Sequence, residues 1–494
     1  MTAKSTSLQS TLGANARHGR DRAAQAPALA RVLALALGLG CAVGAAQAQT
    51  TPFSSFTPLT ASVAAGSLPE STPFALANAS WVQLSIADRA TQLAAGQFNS
   101  GWWDMIDGNR TGADIGRYLF TGFEIGQAGI QRIDRQTGQV VTLWSAPTAA
   151  PPLNSASGFD AARWTPFGSF ITAEESWGAQ PQPFGRLFEL TNPISATAGT
   201  GNLVLRNVVA RVAHEGLAFD NQRNLYFVDE FNGGSIYRYS SATPANGSSF
   251  FSGGTNAVLR VGDGLTPNAT GAASWISFTD AAGVALPGAV TITDPNGLVA
   301  VDGRASTVLA AFKGTAYQRP EDLEIQTLGN GDQVLYFSTT TTHEVYSLNL
   351  ATNQLRLFVS RATLDAATGL AVGAAFTNPD NLAIDAAGNL YIVEDQPGGL
   401  ADIWFATDAN RDGVAESIGR WASMSTIGAE PTGLYFDVSD PNVAFINVQH
   451  PGSGVDRTIQ ITAVPEVGTA WAMLLGFGLI ADVVRRQRRF SLSL

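Results

Sequence analysis

Cysteine is almost absent from this sequence, and histidine is scarce. The single cysteine among 494 residues is Cys41, and the chain has only four histidines. Disulfides are therefore excluded as a source of stability, which a chain of this length can obtain from a large apolar core. A zinc site built from cysteine and histidine is nearly excluded as well, because such sites need three or four of these ligands.

Basic residues are also few over most of the chain. Residues 1–48 hold five basic residues and one acidic residue, and residues 467–494 hold four and one. Of the 29 Lys and Arg and the 40 Asp and Glu in the whole sequence, 20 basic and 38 acidic residues therefore lie between the ends, a net charge of about −18. This balance argues against a nucleic-acid partner, which needs a basic surface. It suits hard cations held by carboxylate oxygens.

The N-terminal segment has the pattern of a secretory signal peptide. Basic residues between Lys4 and Arg31 precede an apolar run at 32–43, and Ala46-Gln47-Ala48 follows as a cleavage pattern of small residues. We therefore expect residues 1–48 to be a signal peptide and the chain to be exported to the cell envelope or cell surface.

The C-terminal segment 464–494 predicts a membrane address. Val464-Pro465-Glu466 precedes an apolar stretch at 467–484 and four arginines between 485 and 489. About 18 apolar residues can cross a bilayer as a helix, with the arginines on the inner side. An ordinary anchor is one interpretation. We favour the other, since the order of features resembles the PEP-CTERM sorting signal of Gram-negative bacteria, although Val467 replaces its usual second proline; this implies an exosortase partner and a transient inner-membrane anchor.

Residues 49–463 contain internal repeats. The segments at 215–220, 321–326, 380–385 and 432–437 share a leucine with an apolar residue two positions later, and each precedes a turn and a second apolar run. Repeats of roughly 50–55 residues with four strands are typical of propeller blades. We predict an all-β fold, a β-propeller of six or seven four-stranded blades, with a weak blade and an inserted loop at 241–300. A β-sandwich is the alternative, but its strands do not repeat acidic positions at fixed offsets.

Acidic residues recur at fixed places in the repeats. Some precede the first strand, and others follow the second strand as the pairs Glu174-Glu175, Asp229-Glu230 and Glu394-Asp395. In a propeller these residues would meet at one mouth of the central channel. Clustered carboxylates raise one another's pKa unless cations neutralise them, which predicts a metal site; the alternative is that each one caps a turn or pairs with an arginine. The candidate metal ligands are Glu174, Glu175, Glu215, Asp229, Glu321, Asp380, Glu394, Asp395 and Glu430.

Seven short segments carry a resemblance to a known family. They are WDMI at 103–106, TAEE at 172–175, HE at 214–215, RPE at 319–321, PDNL at 379–382, EPTG at 430–433 and NVQHPG at 447–452. In this order they resemble the PhoX-type alkaline phosphatases, propellers that hold calcium and iron on the axis and hydrolyse phosphate esters. The resemblance implies that Glu215, Glu321 and Asp380 are metal ligands and that Arg319 grips the phosphate. His450 is a second catalytic candidate.

One departure from the family leaves the activity open. Where those enzymes have a cysteine iron ligand, this sequence has Ala173. The resemblance then implies calcium, together with an iron centre built differently, no iron, or no phosphatase activity. Two other functions therefore stay open: a non-catalytic calcium-binding surface propeller associated with exopolysaccharide, and a gluconolactonase-like hydrolase, which the segment 379–391 also resembles.

The segment DANRDG at 408–413 has the oxygen spacing of a calcium loop with glycine at the sixth place. The twelfth place is Gly419 rather than an acidic residue, so the segment is not a full loop of the EF-hand type. A hairpin turn of Asp, Asn and Gly is an equally good interpretation.

Deletion of residues 464–494 tests the membrane address. We expect the truncated protein to move from the envelope fraction to the medium or the periplasm, because the apolar stretch and its arginines are removed. Immunoblots of cell fractions give the measurement. An unchanged distribution would mean that the tail is not an address.

Overall fold

A computed structural model describes residues 51–178, 181, 183–294, 296–395 and 400–464. The expected signal peptide at 1–48, and all but the first residue of the expected sorting segment at 464–494, lie outside the described residues. Strands far outnumber helices in the described chain, as the all-β prediction requires. None of its helices is long and apolar enough to cross a membrane.

The described chain consists of short strands joined by turns. The N-terminal half contains β1 (Phe74–Leu76), β2 (Trp81–Asp88), α1 (Arg89–Ala94), β3 (Trp103–Gly108), β4 (Tyr118–Phe123), β5 (Gly129–Asp134), β6 (Gln139–Ser145), β7 (Phe159–Trp164), β8 (Phe170–Glu174), β9 (Leu187–Leu190), β10 (Leu203–Leu205), β11 (Leu217–Phe219), β12 (Leu225–Val228), β13 (Asn232–Gly234), β14 (Ile236–Ser241) and β15 (Gly254–Val261). The C-terminal half contains β16 (Gly271–Ser277), β17 (Thr291–Thr293), β18 (Val299–Val301), α2 (Gly303–Thr307), β19 (Tyr317–Gln318), β20 (Pro320–Thr327), β21 (Gln333–Thr339), β22 (Glu344–Asn349), β23 (Gln354–Val359), β24 (Leu364–Asp365), β25 (Pro379–Ile384), β26 (Leu390–Glu394), β27 (Asp402–Thr407), β28 (Ser417–Met424), β29 (Glu430–Phe436), β30 (Val443–Gln449) and β31 (Arg457–Ala463).

Hydrogen bonds join these strands into mostly antiparallel sheets. Three sheets have four strands, in the orders β3-β4-β5-β6, β10-β9-β8-β7 and β2-β31-β30-β29. A six-stranded sheet runs β1-β28-β27-β26-β25, with β24 beside β28. A nine-stranded sheet runs β11-β12-β14-β15-β16-β23-β22-β21-β20, and β13-β19 and β17-β18 form two-stranded sheets.

The inner strands of these sheets form a closed ring. β3 contacts β7, β7 contacts β11, β11 contacts β20, β20 contacts β25, β25 contacts β29, and β29 returns to β3. This is the propeller-like arrangement that the repeats predicted. β2 pairs along its whole length with β31, so a strand from the start of the described chain completes the last sheet.

The predicted count of six or seven separate blades is wrong. Four sheets stand separately as blades: the three four-stranded sheets and the six-stranded sheet with its path β25 to β28. In the nine-stranded sheet, β16 pairs with β15 and also with β23, so two four-stranded runs are continuous through their outer edges. The segment 241–300 therefore supplies β15, β16, β17 and β18 rather than a further weak blade.

The repeated sequence motif has a direct structural cause. Asp220 directly follows the first strand of one hairpin, and its carboxylate accepts hydrogen bonds from the backbone N–H of Asn224 at 2.8 Å and from the hydroxyl of Tyr226 at 3.1 Å. Asp385 does the same, at 2.9 Å from the N–H of Asn389 and 3.0 Å from the hydroxyl of Tyr391. The aspartate thus fixes the turn and anchors the second strand, because its side chain replaces backbone partners that the turn leaves unpaired.

Large aromatic side chains fill the spaces between neighbouring sheets. Phe53, near the start of the described chain, is fully buried, and its ring lies 5.7 Å from Trp421 and 5.4 Å from Phe436. Trp81 of β2 joins the same cluster at 5.5 Å from Phe53. The N-terminal segment therefore contributes core residues as well as the strand that completes the last sheet.

The close packing of β29 against β3 can be tested by a substitution at Gly433. Its φ is +62°, and a Cβ atom there would lie 2.5 Å from the backbone nitrogen of Ile106. We expect Gly433→Ala to lower the free energy of unfolding by about 1–3 kcal/mol, because the two backbones would have to separate. Gly329→Ala is the control, since a Cβ atom at Gly329 meets no described atom within 4 Å. Equal thermal midpoints for the two variants would contradict this close packing.

Candidate metal centre

One carboxylate stands near the start of each inner strand, at the end of the strand nearest one mouth of the channel. It is the second residue of β3, β7, β20 and β25, it lies two residues before β11, and it is the first residue of β29. In the repeat alignment Thr432, and not Glu430, stands where Glu215, Glu321 and Asp380 stand. The six residues are Asp104, Asp160, Glu215, Glu321, Asp380 and Glu430. We call these six the inner carboxylates.

A β-bulge accompanies most of them. The register between β20 and β21 shifts between Pro320 and Leu323, next to Glu321, and the same shift occurs between Pro379 and Leu382, next to Asp380. Equivalent shifts occur in β3 and β7 beside Asp104 and Asp160. A β-bulge places two residues of one strand opposite one residue of its partner strand and changes the direction of the side chain. The bulges thus explain how strands that are packed on both faces can direct carboxylates toward the axis.

The residues that follow the second strands form an outer set. The backbone N–H of each donates to the carbonyl of the residue that leads into the inner strand, for example Glu124 to Trp102 and Glu230 to Ala213, at 2.9 and 3.0 Å. The acidic members are Glu124, Glu175, Glu230 and Asp395, and the equivalent position after β21 holds Thr340. His450 follows β30, but its backbone N–H donates to Asp456 instead. We call these four acidic residues the outer carboxylates.

Each predicted acidic pair divides between the axis and the sheet. Glu174 binds Arg186 with 2.5 Å between Oε1 and Nη2, and Asp229 binds Arg304. Glu394 accepts the indole N–H of Trp404 at 2.9 Å and two backbone N–H groups. Because successive side chains of a strand point to opposite sides, the second member of each pair faces the channel instead.

Ligand atoms of these carboxylates converge in three groups. Each group has one oxygen from every member within 4.8 Å of the others, and two of the groups share Asp160. They are Glu215 with Glu321 and Asp380, Asp104 with Glu124 and Asp160, and Asp160 with Glu175 and Glu230. The first group is buried throughout, and it joins the three ligands that the resemblance implied.

Burial and mutual repulsion raise the pKa of these groups. Burial is the larger cause for Glu215, whose pKa lies well above its ordinary value, and the charges of Glu321 and Asp380 raise it further. Burial followed by neighbouring carboxylates likewise raises the pKa values of Asp160 and Glu430 well above the ordinary range. The folded protein therefore carries a strong electrostatic reason to bind cations or protons at this place.

The donor atoms fit calcium. Asp160 Oδ1, Glu124 Oε2 and Glu215 Oε2 are buried and have no hydrogen-bond partner among the described residues. A cation coordinated by several carboxylate oxygens would satisfy them, and calcium prefers such ligands. Ala173 does not fit a thiolate-bound iron, since its methyl group is fully buried in an apolar cluster with Ile171 and Leu187.

Arg319 is the guanidinium within this acidic set. It pairs with Glu230 at 2.9 Å and with Glu321 at 2.8 Å, while its Nη1 lies 3.9 Å from Asp395. Burial lowers its pKa, but the charges of Glu321 and Glu230 outweigh burial, so the net shift is upward and the group keeps its proton. Its φ of 58° places the backbone in the left-handed region, which is uncommon for a side chain of this size.

His450 lies at the other predicted catalytic position. Its Nε2 is 3.1 Å from Glu430 Oε2, and its Nδ1 is 3.0 Å from the carbonyl of Gly428. A carbonyl only accepts, so Nδ1 carries a proton, and the contact with Glu430 needs a second proton on Nε2 or on the carboxyl group. The ring also packs on Trp102, with 4.9 Å between ring centroids.

The structure brings together some predicted residues and adds others. It places Glu175, Glu215, Glu321, Asp380, Asp395 and Glu430 among the inner and outer carboxylates, and it places Glu174, Asp229 and Glu394 in the sheet contacts described above. Sequence reasoning missed Asp104, Glu124, Asp160 and Glu230 as ligand candidates. Asp104 and Glu230 stood in segments already singled out, whereas β3 and β7 lack the leucine motif that marked the other inner strands.

The segment 408–413 folds as a turn. The backbone N–H of Asp412 donates to Asn410 at 2.8 Å, and that of Gly413 donates to Asp408 at 3.1 Å. These contacts are those of the hairpin turn that was one of its two interpretations.

Calcium should stabilise the protein more at pH 8 than at pH 5. Without calcium, in the presence of a chelator, the clustered carboxyl groups keep their protons in the folded state because their pKa values are raised. The same groups lose their protons above about pH 4 in the unfolded chain. The free energy of unfolding therefore falls as pH rises. Calcium binding opposes this loss. A free calcium concentration of 100 times Kd adds about 2.7 kcal/mol to the free energy of unfolding. Thermal midpoints with chelator and with calcium at both pH values give the measurement.

Two variants sharpen that test. Glu215→Gln should raise the midpoint in chelator and reduce the gain from calcium, because it removes a repelling charge and a ligand oxygen together. Asp263→Asn is the control, since Asp263 is exposed and the amide oxygen can still accept the N–H of Leu265. A midpoint indifferent to chelator and calcium at both pH values would remove the metal from this site.

Comparison with known proteins connects this geometry to a family. The chain matches alkaline phosphatase PhoX over residues 154–452, which is more than half of its length. No curated protein matches the chain significantly. The match begins after β6 and extends through β30, so it includes five of the six inner carboxylates.

Several solved structures are similar at low identity. The luciferin-regenerating enzyme is 10% identical with a TM-score of 0.40, covering 74% of this chain and 94% of its own. The PQQ-bound aldose sugar dehydrogenase from Streptomyces coelicolor is 11% identical with a TM-score of 0.38, covering 78% and 99%. The β-propeller domain of Cps50 (Swd1) from Myceliophteria thermophila is 12% identical with a TM-score of 0.34, covering 74% and 98%. TM-scores this low carry no argument about activity. The family match covers more than half of the chain, and it shows that the chain belongs to the PhoX family of alkaline phosphatases.

Proposed function

We propose that this protein is a metal-dependent phosphoesterase that hydrolyses phosphate esters at the inner and outer carboxylates. The observation that supports this most is Arg319, a guanidinium held by Glu230 and Glu321 in the middle of an otherwise acidic site. An acidic site repels a phosphate ester on its own, so substrate binding requires positive charge there. Arg319 supplies part of it, and cations held by the carboxylates would supply the rest.

The bound cations would contribute charge stabilisation to the transferring phosphoryl group. Glu215, Glu321 and Asp380 would hold one of them, and the groups that share Asp160 would hold others. The contacts of the Arg319 guanidinium fix which of its N–H groups can reach a substrate. Nε and Nη2 are engaged by Glu230, while Nη1 lies beyond hydrogen-bond distance of Asp395 and can donate to a phosphate oxygen.

His450 is our candidate for the donor of the proton that the leaving oxygen takes up. Hydrolysis breaks the bond between phosphorus and the ester oxygen, and that oxygen leaves more easily when a proton reaches it. His450 and Glu430 share a proton across 3.1 Å, and the ring is held in place by Gly428 and Trp102. In this assignment the pair transfers that proton and recovers one from the attacking water.

A second candidate function is a calcium-bound propeller without catalysis, associated with exopolysaccharide. It is favoured by the burial of Ala173 in the apolar cluster, where the resemblance implied an iron ligand. Both candidates need calcium at the carboxylates, so they differ in whether Arg319 serves a reaction.

For location, we propose export through residues 1–48 and a transient inner-membrane stage through residues 464–494 with an exosortase as partner. The basic, apolar and Val-Pro-Glu patterns support it.

Arg319→Ala tests the phosphoesterase directly. We expect kcat for an aryl phosphate, measured in calcium with iron supplied, to fall by about 10²–10³, the usual effect of removing a charge-stabilising donor. The thermal midpoint in calcium should change little, since the cations still neutralise Glu230 and Glu321. Arg117→Ala is the matched control, because Arg117 is 29% exposed against 31% for Arg319 and pairs with Asp134 away from the site.

The outcomes separate the two candidates. Hydrolysis by the wild type that only Arg319→Ala abolishes supports the enzyme. If the wild type hydrolyses no phosphate ester under these conditions but is stabilised by calcium, the binding propeller is the better assignment.

A further inference from the structure

Two exposed aromatic side chains lie beside Arg319. Trp177 is 43% exposed and Phe231 is 37% exposed, although both are large apolar groups. Their ring centroids are 5.8 Å apart, with 58° between the ring planes. Trp177 comes two residues after Glu175, and Phe231 comes directly after Glu230, so the outer carboxylates place both rings at the edge of the site.

Both rings are held by charged groups of the site. The indole N–H of Trp177 donates to Glu175 and, at 3.0 Å, to Glu230 Oε2. The guanidinium of Arg319 lies 5.3 Å from the ring centroid of Trp177. Because these contacts fix the indole before any ligand arrives, binding against it costs little side-chain entropy.

Phe231 is held in a parallel way. The guanidinium of Arg304 lies 4.6 Å from its ring centroid, and Arg304 is itself anchored by Asp229. The first and second members of the pair Asp229-Glu230 therefore support the same aromatic surface from two sides. The rest of each ring faces solvent, which is uncommon for two adjoining large apolar residues unless they bind something.

We propose that Trp177 and Phe231 form an aromatic ledge that stacks against the planar ring of the substrate's leaving group. This rests on the proposed function, and it names the substrate class as phosphate esters whose leaving group carries an aromatic or heteroaromatic ring. The phosphate binds at Arg319, and the ledge adjoins that guanidinium, so a leaving group bonded to the phosphate can reach it. Offset or edge contacts between aromatic rings supply the attraction.

The contribution of the aromatic ledge can be measured as selectivity for esters that carry a ring over an ester that has none. We compare kcat/KM for 4-nitrophenyl phosphate and adenosine 5′-monophosphate with kcat/KM for glycerol 1-phosphate, using the calcium-loaded protein. Trp177→Ala and Phe231→Ala should each lower the ratio for at least one ring-bearing ester about tenfold, mainly through KM, which is the size of one stacking contact. The ester that loses selectivity shows whether the ring adjoins the phosphate or is separated from it by a sugar.

Two further variants isolate the ring. Trp177→Phe keeps an aromatic face but removes the N–H donor to Glu230, and it should retain most of the selectivity. Phe184→Ala is the control, because Phe184 is similarly exposed at 38% but lies against Arg186 instead of Arg319. Its selectivity ratio should match that of the wild type.

The outcomes separate this inference from the proposed function. Equal losses on ring-bearing and glycerol esters, or no loss on either, would overturn the ledge while leaving the phosphoesterase in place. If the wild type hydrolyses neither, calorimetric Kd values for phenylphosphonate and methylphosphonate replace the kinetic ratio. A preference for phenylphosphonate that falls about tenfold in Trp177→Ala supports the ledge without catalysis, and an unchanged ratio or no binding of either phosphonate overturns it.

Discussion

Uncompensated negative charge at one mouth of the channel is the constraint on which the rest of the site depends. Ten inner and outer carboxylates meet there, and within the described chain their ion pairs are only those with Arg319 and His450. The other ends of the same inner strands are different, because Asp107 there pairs with Arg110 and Glu324 pairs with Arg163 at 2.7 Å. One end of the channel is neutralised by the protein's own arginines, whereas the other end has an excess of carboxylates that protons or cations can neutralise. Buried like charges without partners are too costly to be retained for stability alone.

The fold converts ordinary strand geometry into this arrangement. Bulges beside four of the inner carboxylates turn them toward the axis. The alternation of side chains sends one member of each acidic pair to the axis and the other into the sheet. The members that enter the sheet bind Arg186, Arg304 and Trp404, so they hold the strand ends on which the outer carboxylates stand. The supporting acids and the candidate ligands are therefore adjacent in sequence but have different tasks.

This division explains what the sequence could and could not predict. The repeated leucine motif identified four hairpins correctly, because the turn aspartates that bind Tyr226 and Tyr391 are visible as a pattern. It also identified Glu215, Glu321 and Asp380, which the structure brings together. Asp104 and Asp160 were missed since β3 and β7 carry no such motif. Which member of an acidic pair faces the axis depends on arginines that are distant in sequence, and the pairing of β16 with β23 joins residues about 80 positions apart, so neither could be deduced from local pattern.

Backbone strain indicates which positions at the mouth are retained for their side chains. The residues that lead into β3, β7, β20, β25 and β29 have positive φ, and Gly158 and Gly428 adopt it without cost. Asn378, before β25, has φ of 42°, which asparagine adopts more readily than most residues. Trp102 and Arg319 adopt it at φ of 51° and 58°, where a non-glycine residue costs about 1–3 kcal/mol. In the ring of inner strands, β3 and β20 lie opposite each other, so the two strained residues face across the channel. Glycine would satisfy the backbone at both places. The side chains do what glycine cannot: one guanidinium bridges Glu230 and Glu321, and one indole packs against His450. The strained backbone thus lies at the same mouth as the clustered carboxylates, so that end of the channel is shaped by the side chains that it presents and not by packing alone.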